Sequence, residues 1–215
     1  MGESRSLIRR DFRLAAYRPL IEEMLAFTRE RSAQTPDELW CVEHTPVYTL
    51  GLQASPKHIL SATSIPIEHT DRGGEVTYHG PGQLVLYPLI HLKRYGLFVR
   101  EFVHLLEEAI LMLLSHHGLE NAERWPGEPG IYMRVGPEAC RAKIAALGLK
   151  ISRGFSTHGL AINLSMDLGP FRHINPCGHA GLQAIDLDTM NVHLTWEEAA
   201  DQLCQILTTL LNARR

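Results

Sequence analysis

Cys177 lies between Pro176 and Gly178 in GPFRHINPCGHAG, residues 169–181, a stretch of three glycines, two prolines and two histidines that fits no helical face. A thiol in such a loop becomes a nucleophile when a cation, a histidine or a helix N-terminus stabilises its thiolate. His173 and His179 are its neighbours in sequence, so the residues alone leave three readings open. One is a cysteine-histidine hydrolase, the second is a metal site made by His173, Cys177 and His179, and the third is a structural cysteine. Lys143 is the next candidate, because it opens the apolar run KIAALGLKI, residues 143–151. Lysine at a strand edge ordinarily snorkels to water. Inside a cleft beside Cys177 its ammonium would instead stabilise a thiolate and move protons. Spacing does not join the two.

A third stretch, RGGEVTYHGPGQ at residues 72–83, holds four glycines and a proline in twelve residues. Glycine and proline are poor helix formers, and glycine lets backbone approach a ligand closely. That composition exceeds what a turn into the apolar run at residues 84–90 needs, and it reads as a ligand-contacting loop.

The elements that must carry these residues are legible in part. Residues 7–14 read as a weak first strand, and 19–31 as an amphipathic helix with Leu20, Ile21, Met24, Leu25 and Phe27 on one face. Strands are expected at 39–42, within 43–51 after a turn, near 65–68, and at 84–92. His44, at a strand end, reads as a structural hydrogen-bonder. Residues 98–117 form the clearest helix so far, with Gly118 as its stop signal. Residues 125–130 read as a turn cluster, 131–135 as a strand, and 136–142 as a hairpin loop. The run at 143–151 is too apolar for a surface loop; 152–159 reads as a glycine-bearing turn, and 160–168 partly as a strand. The last helix, 195–213, opens with the capping-box pair Thr195 and Glu198, and Cys204 near its apolar stripe reads as inert core. Strands crowd the middle and helices punctuate it. The fold class is therefore α/β in the mixed α+β sense, with a central mixed sheet flanked by helices.

Length and composition bound the rest. At 215 residues without a divided composition, one domain spanning residues 1–215 is expected. A formal net charge of -3 argues against a broad nucleic-acid surface. With no membrane-length apolar run and no secretory leader pattern, the protein is expected in the cytoplasm, away from the membrane and with its cysteines reduced. Gly2 and Ser6 match an N-myristoylation pattern too short to carry weight. The widely spaced Cys41, Cys140, Cys177 and Cys204 include no C-x-x-C pair.

Taken together, RGGEVTYHGPGQLVLYP at 72–88, KIAALGLKI at 143–151, STHGLAINLSMDL at 156–168, FRHINPCGHAGL at 171–182 and HTPVYTLG at 44–51 resemble the lipoyl(octanoyl)transferase family. The blocks follow the family's order from about residue 40 to 187. The resemblance implies the biotin/lipoate protein ligase catalytic-domain fold. It implies an enzyme that moves an octanoyl group from octanoyl acyl carrier protein to a lysine of lipoyl domains, those of 2-oxoacid dehydrogenase complexes and the glycine cleavage H protein. Carried over by position, it makes Cys177 the acyl-thioester nucleophile and Lys143 the lysine that favours its thiolate. Its substrate-contacting segments fall on Arg72, Gly73, Gly74, Glu75, Val76, Thr77, Tyr78 and His79, then on Ala146, Leu147 and Gly148, and then on Gly159, Leu160 and Ala161. No cofactor and no metal are implied, and a monomer suffices. His79 and His158 are expected as polar contacts at the pocket, and backbone N–H groups of the glycine loop or near Gly178 as oxyanion donors. Arg72, Lys150 and Arg153 are candidates for meeting an acidic carrier. The family pattern departs at 135–142, which is longer than in compact members. An ATP-dependent lipoate ligase of the same fold and a non-catalytic acyl-binding module are the competing readings; neither needs both Cys177 and Lys143.

Overall fold

The computed structural model describes residues 7–214; the Gly2 and Ser6 pattern lies outside them. In chain order the regular elements are β1 (Ile8–Ala15), α1 (Tyr17–Glu30), β2 (Glu38–His44), β3 (Val47–Leu50), β4 (Ile67–His69), β5 (Val76–His79), β6 (Gln83–Leu89), α2 (Val99–His116), β7 (Glu123–Trp125), β8 (Glu128–Val135), β9 (Cys140–Ser152), β10 (Phe155–Asn163), β11 (Gln183–Ala184) and α3 (Trp196–Asn212). The large sheet runs β1-β2-β6-β10-β9-β8-β7, with β11 added to β9, and a small sheet runs β4-β3-β5. Strand β1 is parallel to β2, β4 to β3 and β11 to β9, while the other pairs are antiparallel, so the sheets are mixed.

Helices α2 and α3 cover one face of the large sheet. Phe102, Leu106, Ile110 and Leu113 of α2 and Leu203 and Leu207 of α3 meet Leu84, Leu86, Ile131 and Ile144 in the main core. On the opposite face, Tyr17, Leu20, Ile21 and Met24 of α1 pack on Trp40, Val85, Tyr87 and Ala161. The small sheet builds a third cluster from Tyr48, Leu50, Val76, Tyr78, Phe171 and Ile174. The capping box of α3 forms: Thr195 Oγ1 accepts from Glu198 N at 3.2 Å, and Glu198 Oε2 accepts from Thr195 N at 2.9 Å. Cys204 is buried with its Sγ 3.3 Å from that of Cys41, and all four cysteines are free thiols.

Several turns are tighter than the sequence suggests. The expected turn at 125–130 shrinks to residues 126 and 127 between β7 and β8, and the expected loop at 136–142 to residues 136–139, so Arg141 and Ala142 belong to β9. Residues 152–159 are mostly strand. Only Arg153 and Gly154, at φ 53° and 87°, make the bend, and β10 continues through Ser156–Gly159.

Two strands break their own alternation. Along β9, Tyr132 pairs with Lys143 but Ile131 pairs with Ala145, leaving Ile144 as an extra residue. This β-bulge shifts the phase. Ile144 and Ala145 both enter the core under α2, while Lys143 joins the opposite face, with Ala146 and Gly148. On β10, His158 adopts φ 58°, a left-handed conformation rare for a non-glycine residue, and lies 6.3 Å from the ring of Tyr87 on the α1 side.

Candidate active site

A cavity of about 490 Å³ lies where the large sheet, the small sheet and the start of α1 meet. Its floor is the β9-β10 pair, in which Ala146 faces Ala161, Leu147 faces Leu160 and Gly148 faces Gly159 across the antiparallel register. Sequence reading put Gly159 in a turn at 152–159 and the other five in the apolar runs 143–151 and 160–168. All six are strand residues, and Gly159 joins β10 because the bend between the strands takes only two residues. A Cβ on Gly148 would lie 2.9 Å from Gly73 O, so glycine there lets the segment at 72–75 lie against β9, where Gly73 N donates to Leu149 O at 3.0 Å.

That segment forms the opposite wall and is folded around Arg72. The guanidinium is buried and donates to Thr49 O at 2.8 Å, Thr49 Oγ1 at 2.9 Å, Glu75 O at 2.8 Å and Gly73 O at 3.0 Å. Burial lowers its pKa from the usual arginine value. Arg72 is therefore a scaffold of the loop and is not available to a docking partner. Lys150 and Arg153 are also engaged, Lys150 with Asp71 at 2.7 Å and Arg153 with Thr28 O and Arg29 O at 2.9 Å each. Gly73, Gly74, Glu75, Val76, Thr77 and His79 line the cavity. Tyr78 does not. Strand alternation turns it into the small-sheet cluster, where its ring packs edge-on against Phe171 at 5.5 Å.

At one end of the cavity the bulged Lys143 meets the loop that carries Cys177. Lys143 Nζ is 2.9 Å from Cys177 Sγ and donates to Pro129 O at 3.1 Å, with its ammonium 4.9 Å from the Tyr132 ring centroid. Cys177 itself stands at φ 56°, ψ 23°, in a short 3-10 turn, Pro176–Gly178. Burial and the nearby Cys177 charge push the Tyr132 phenol up. Sequence spacing did not join Lys143 to Cys177; the bulge and the left-handed turn do. An ammonium at this distance stabilises a thiolate by a charge-assisted contact.

The histidines of the 169–181 loop do not converge on the thiol as a metal site. His173 Nδ1 pairs with Ser61 Oγ at 2.6 Å, and His179 Nε2 lies 3.3 Å from Glu128 Oε2. Among the described residues no group of three or more His, Cys, Asp or Glu side chains is arranged to hold a metal ion. Glu128 also holds Arg141 at 2.9 Å and Tyr132 Oη at 3.4 Å, making a polar rim that sequence reading missed. Of the N–H groups offered as oxyanion donors, three are engaged: Gly73 with Leu149 O, Gly74 with Gln53 Oε1 and Gly178 with Asn175 O.

Away from Cys177 the walls carry buried polar rings. His44 bonds Ala15 O at 3.0 Å and Tyr87 Oη at 2.7 Å, the structural hydrogen bonding expected of it. His79 bonds Gln83 Oε1 at 2.7 Å and stacks on Tyr17 at 6.2 Å. Burial holds both imidazoles neutral, lowering His44 to about 4 and, with help from the nearby His44, His79 to about 3. His158 Nε2 lies 2.7 Å from Asp71 Oδ1, and this contact, joined by Lys150, pulls the Asp71 carboxyl below its usual range. Tyr17 and Tyr87 also face the cavity. Tyr17 gave no sequence signal, lying ahead of the expected helix at 19–31, and Tyr87 only its place inside an apolar strand.

Comparison with known proteins agrees with this architecture. The family profile described as Lipoyl protein ligase A/B catalytic domain matches residues 17–208. An octanoyltransferase of Bordetella petrii is 50% identical over 195 residues, covering 91% of this chain and 92% of its own. One from Dechloromonas aromatica is 50% identical over 198 residues, covering 92% and 93%. Among solved structures, a bi-partite lipoate protein ligase from Thermoplasma acidophilum superposes with a TM-score of 0.68 at 15% identity, over 95% of this chain and 84% of that one. A biotin protein ligase from Aquifex aeolicus does so with a TM-score of 0.54 at 12% identity, over 96% and 68%. These two likenesses concern the fold. Among the described residues no helix is long and apolar enough to cross a membrane.

Proposed function

The chain belongs to the Lipoyl protein ligase A/B catalytic-domain family, it acts there as an octanoyltransferase of protein lipoylation, and we propose that the transfer runs through an octanoyl thioester on Cys177. The donor is octanoyl acyl carrier protein. The acceptors are lysines of lipoyl domains, in 2-oxoacid dehydrogenase complexes and in the glycine cleavage H protein. The observation that carries the reading is the 2.9 Å contact of Lys143 Nζ with Cys177 Sγ at the head of a cavity of about 490 Å³. A passive acyl-binding module needs no such pair, and a ligase that adenylates a free acid needs no thiol.

In the first transfer the Cys177 thiolate attacks the donor's thioester carbonyl, the donor's C–S bond breaks, and Lys143 gives the departing thiolate a proton. In the second, the acceptor amine attacks the acyl-enzyme, and Lys143, now neutral, takes one of its protons. Exchange of one thioester for another is nearly balanced and conversion to an amide is downhill, so the sequence needs no nucleotide. With the Gly73, Gly74 and Gly178 N–H groups engaged, the Lys143 ammonium is the cation at hand for charge developing at the carbonyl oxygen. The octanoyl tail lies over Ala146, Gly148 and Ala161, where burying its methylenes contributes roughly 5 kcal/mol before ordering costs. The small side chains on the β9-β10 floor leave the width for it.

Intact-protein mass spectrometry tests this directly. Mixed with octanoyl acyl carrier protein and no ATP, the enzyme is expected to gain one hydroxylamine-labile octanoyl group that an apo lipoyl domain removes, and Cys177→Ser to gain none. An unmodified wild-type enzyme that octanoylates the domain only from free octanoate and ATP would establish the ligase reading instead.

A further inference from the structure

Four charged side chains of the Lys, Arg, Asp and Glu classes line the cavity, and three are satisfied. Arg72 is held by Thr49 and its own loop, Lys143 by Cys177 and Pro129 O, and Glu128 by Arg141, Tyr132 and His179. The fourth, Glu75, has no hydrogen-bond or ion-pair partner among the described residues, and its Oε2 is shielded from solvent as well. Its place is specific. Glu75 Cγ, Cδ and Oε1 each lie 3.5 Å from the point where a Cβ on Gly178 would sit, so the carboxylate rests against the residue that follows the nucleophile.

A half-buried carboxylate without a donor is destabilising, and such a group calls for a partner that arrives with the reaction. Its charge says which partner. The donor presents a thioester, which brings no cation to the thiol, whereas the acceptor presents a lysine ammonium that must reach the same sulfur. Resting on the two-transfer reading above, we propose that Glu75 receives the ε-ammonium of the acceptor lysine and orients its nitrogen toward the octanoyl carbonyl on Cys177. It is a substrate-positioning residue for the second transfer.

The proton count gives it a further task. Loading leaves Lys143 neutral, because its proton goes out with the donor thiol. The acceptor ammonium returns one proton to Lys143 Nζ, and the freed lone pair forms the C–N bond. The C–Sγ bond then breaks, the electron pair returns to Cys177 as thiolate beside the restored Lys143 ammonium, and the amide nitrogen sheds a second proton. Lys143 can hold only one of the two. The Glu75 carboxylate, against Gly178, passes the other to water.

Separate measurement of the two half-reactions tests the assignment, comparing wild type with Glu75→Leu and Glu75→Gln. Loading is followed by mass as the octanoyl adduct forms from octanoyl acyl carrier protein, and discharge as purified acyl-enzyme is chased with apo lipoyl domain. Loss of one charge-assisted contact predicts that discharge by the lysine falls about 10- to 100-fold more than loading in Glu75→Leu. Glu75→Gln, which keeps an acceptor oxygen but no charge, falls between wild type and leucine and serves alone if the leucine variant does not fold. Hydroxylamine, a neutral nucleophile, discharges all three acyl-enzymes at similar rates. Equal losses in loading and discharge, unchanged discharge by the domain, or a parallel loss with hydroxylamine overturns the assignment to Glu75. A wild-type enzyme that never forms the adduct removes the two-transfer reading, and the inference with it.

Discussion

Substituting Gly130 by alanine separates the placement of Lys143 from its mere presence. Gly130 has φ 138°, and a Cβ built on it would lie 2.7 Å from Lys143 Cε, 2.9 Å from Nζ and 2.8 Å from Ala145 O. Carbon atoms settle at about 3.5–4.0 Å, so Cε must retreat by roughly 0.8 Å or more. Such a retreat takes the lysine off the position where it meets its two ties, Cys177 Sγ at 2.9 Å and Pro129 O at 3.1 Å. A contact to a charged group contributes about 1.5–3 kcal/mol, and losing most of it slows acylation of Cys177 by about 10- to 100-fold. The strained backbone adds about 1–3 kcal/mol of destabilisation, less than a domain's usual stability, so Gly130→Ala still folds. Gly136→Ala is the control, since its φ is 70° but nothing stands within 4 Å of its Cβ position. Thermal unfolding should show both variants destabilised, while the single-turnover rate of octanoyl-adduct formation falls in Gly130→Ala alone. If the two variants load at the same rate, the argument from displacement of Lys143 is wrong.

Other outcomes follow from the same geometry. Ala161 lies opposite Ala146 on the cavity floor, so Ala161→Leu places three further carbons where the tail runs and should shift preference toward acyl donors shorter than eight carbons; competition between donors of different length checks this, and an unchanged preference refutes it. His44 and His79 are neutral when folded, at about 4 and about 3 against 6.5 when unfolded. The unfolded chain therefore binds more protons below pH 6.5, and stability present above that value is lost as pH falls toward 4 and then 3. The loss by pH 4 is on the order of several kcal/mol for the pair, and urea unfolding that is flat between pH 7 and pH 4 would contradict it. Thr195→Ala removes the cap of α3, which packs under the sheet away from the cavity, and should lower stability by about 1 kcal/mol without slowing adduct formation.

Much of the frame was legible because its signals are periodic. The apolar stripes of α1, α2 and α3, the Gly118 stop and the Thr195 capping box all answer to helical spacing, and each helix lies within two residues of where that spacing puts it. Turns were overestimated, since glycine and proline mark a bend without fixing its length. Two residues, Arg153 and Gly154, suffice where eight were expected. Ser156, Thr157 and His158 are polar yet buried, which disguises their strand: Ser156 Oγ donates to Pro88 O at 2.5 Å and accepts from Ile90 N at 2.8 Å.

The site was legible in its residue types and illegible in its assembly, for one physical reason. Each decisive placement breaks the period that sequence patterns rely on. Strict alternation along β9 would set Lys143 on the same face as Ala145, under α2 in the main core; the extra residue at Ile144 moves it to the cavity. Cys177 and His158 reach their positions through left-handed backbone that nothing in their residue types announces. Tyr78 fails in the opposite sense, because a regular strand sends every second residue away from the cavity and a segment carried over whole ignores that alternation. Glu75 illustrates what neither periodicity nor position can give. Its importance lies in a missing partner, and a missing partner is visible only once every neighbour's hydrogen bonds have been assigned.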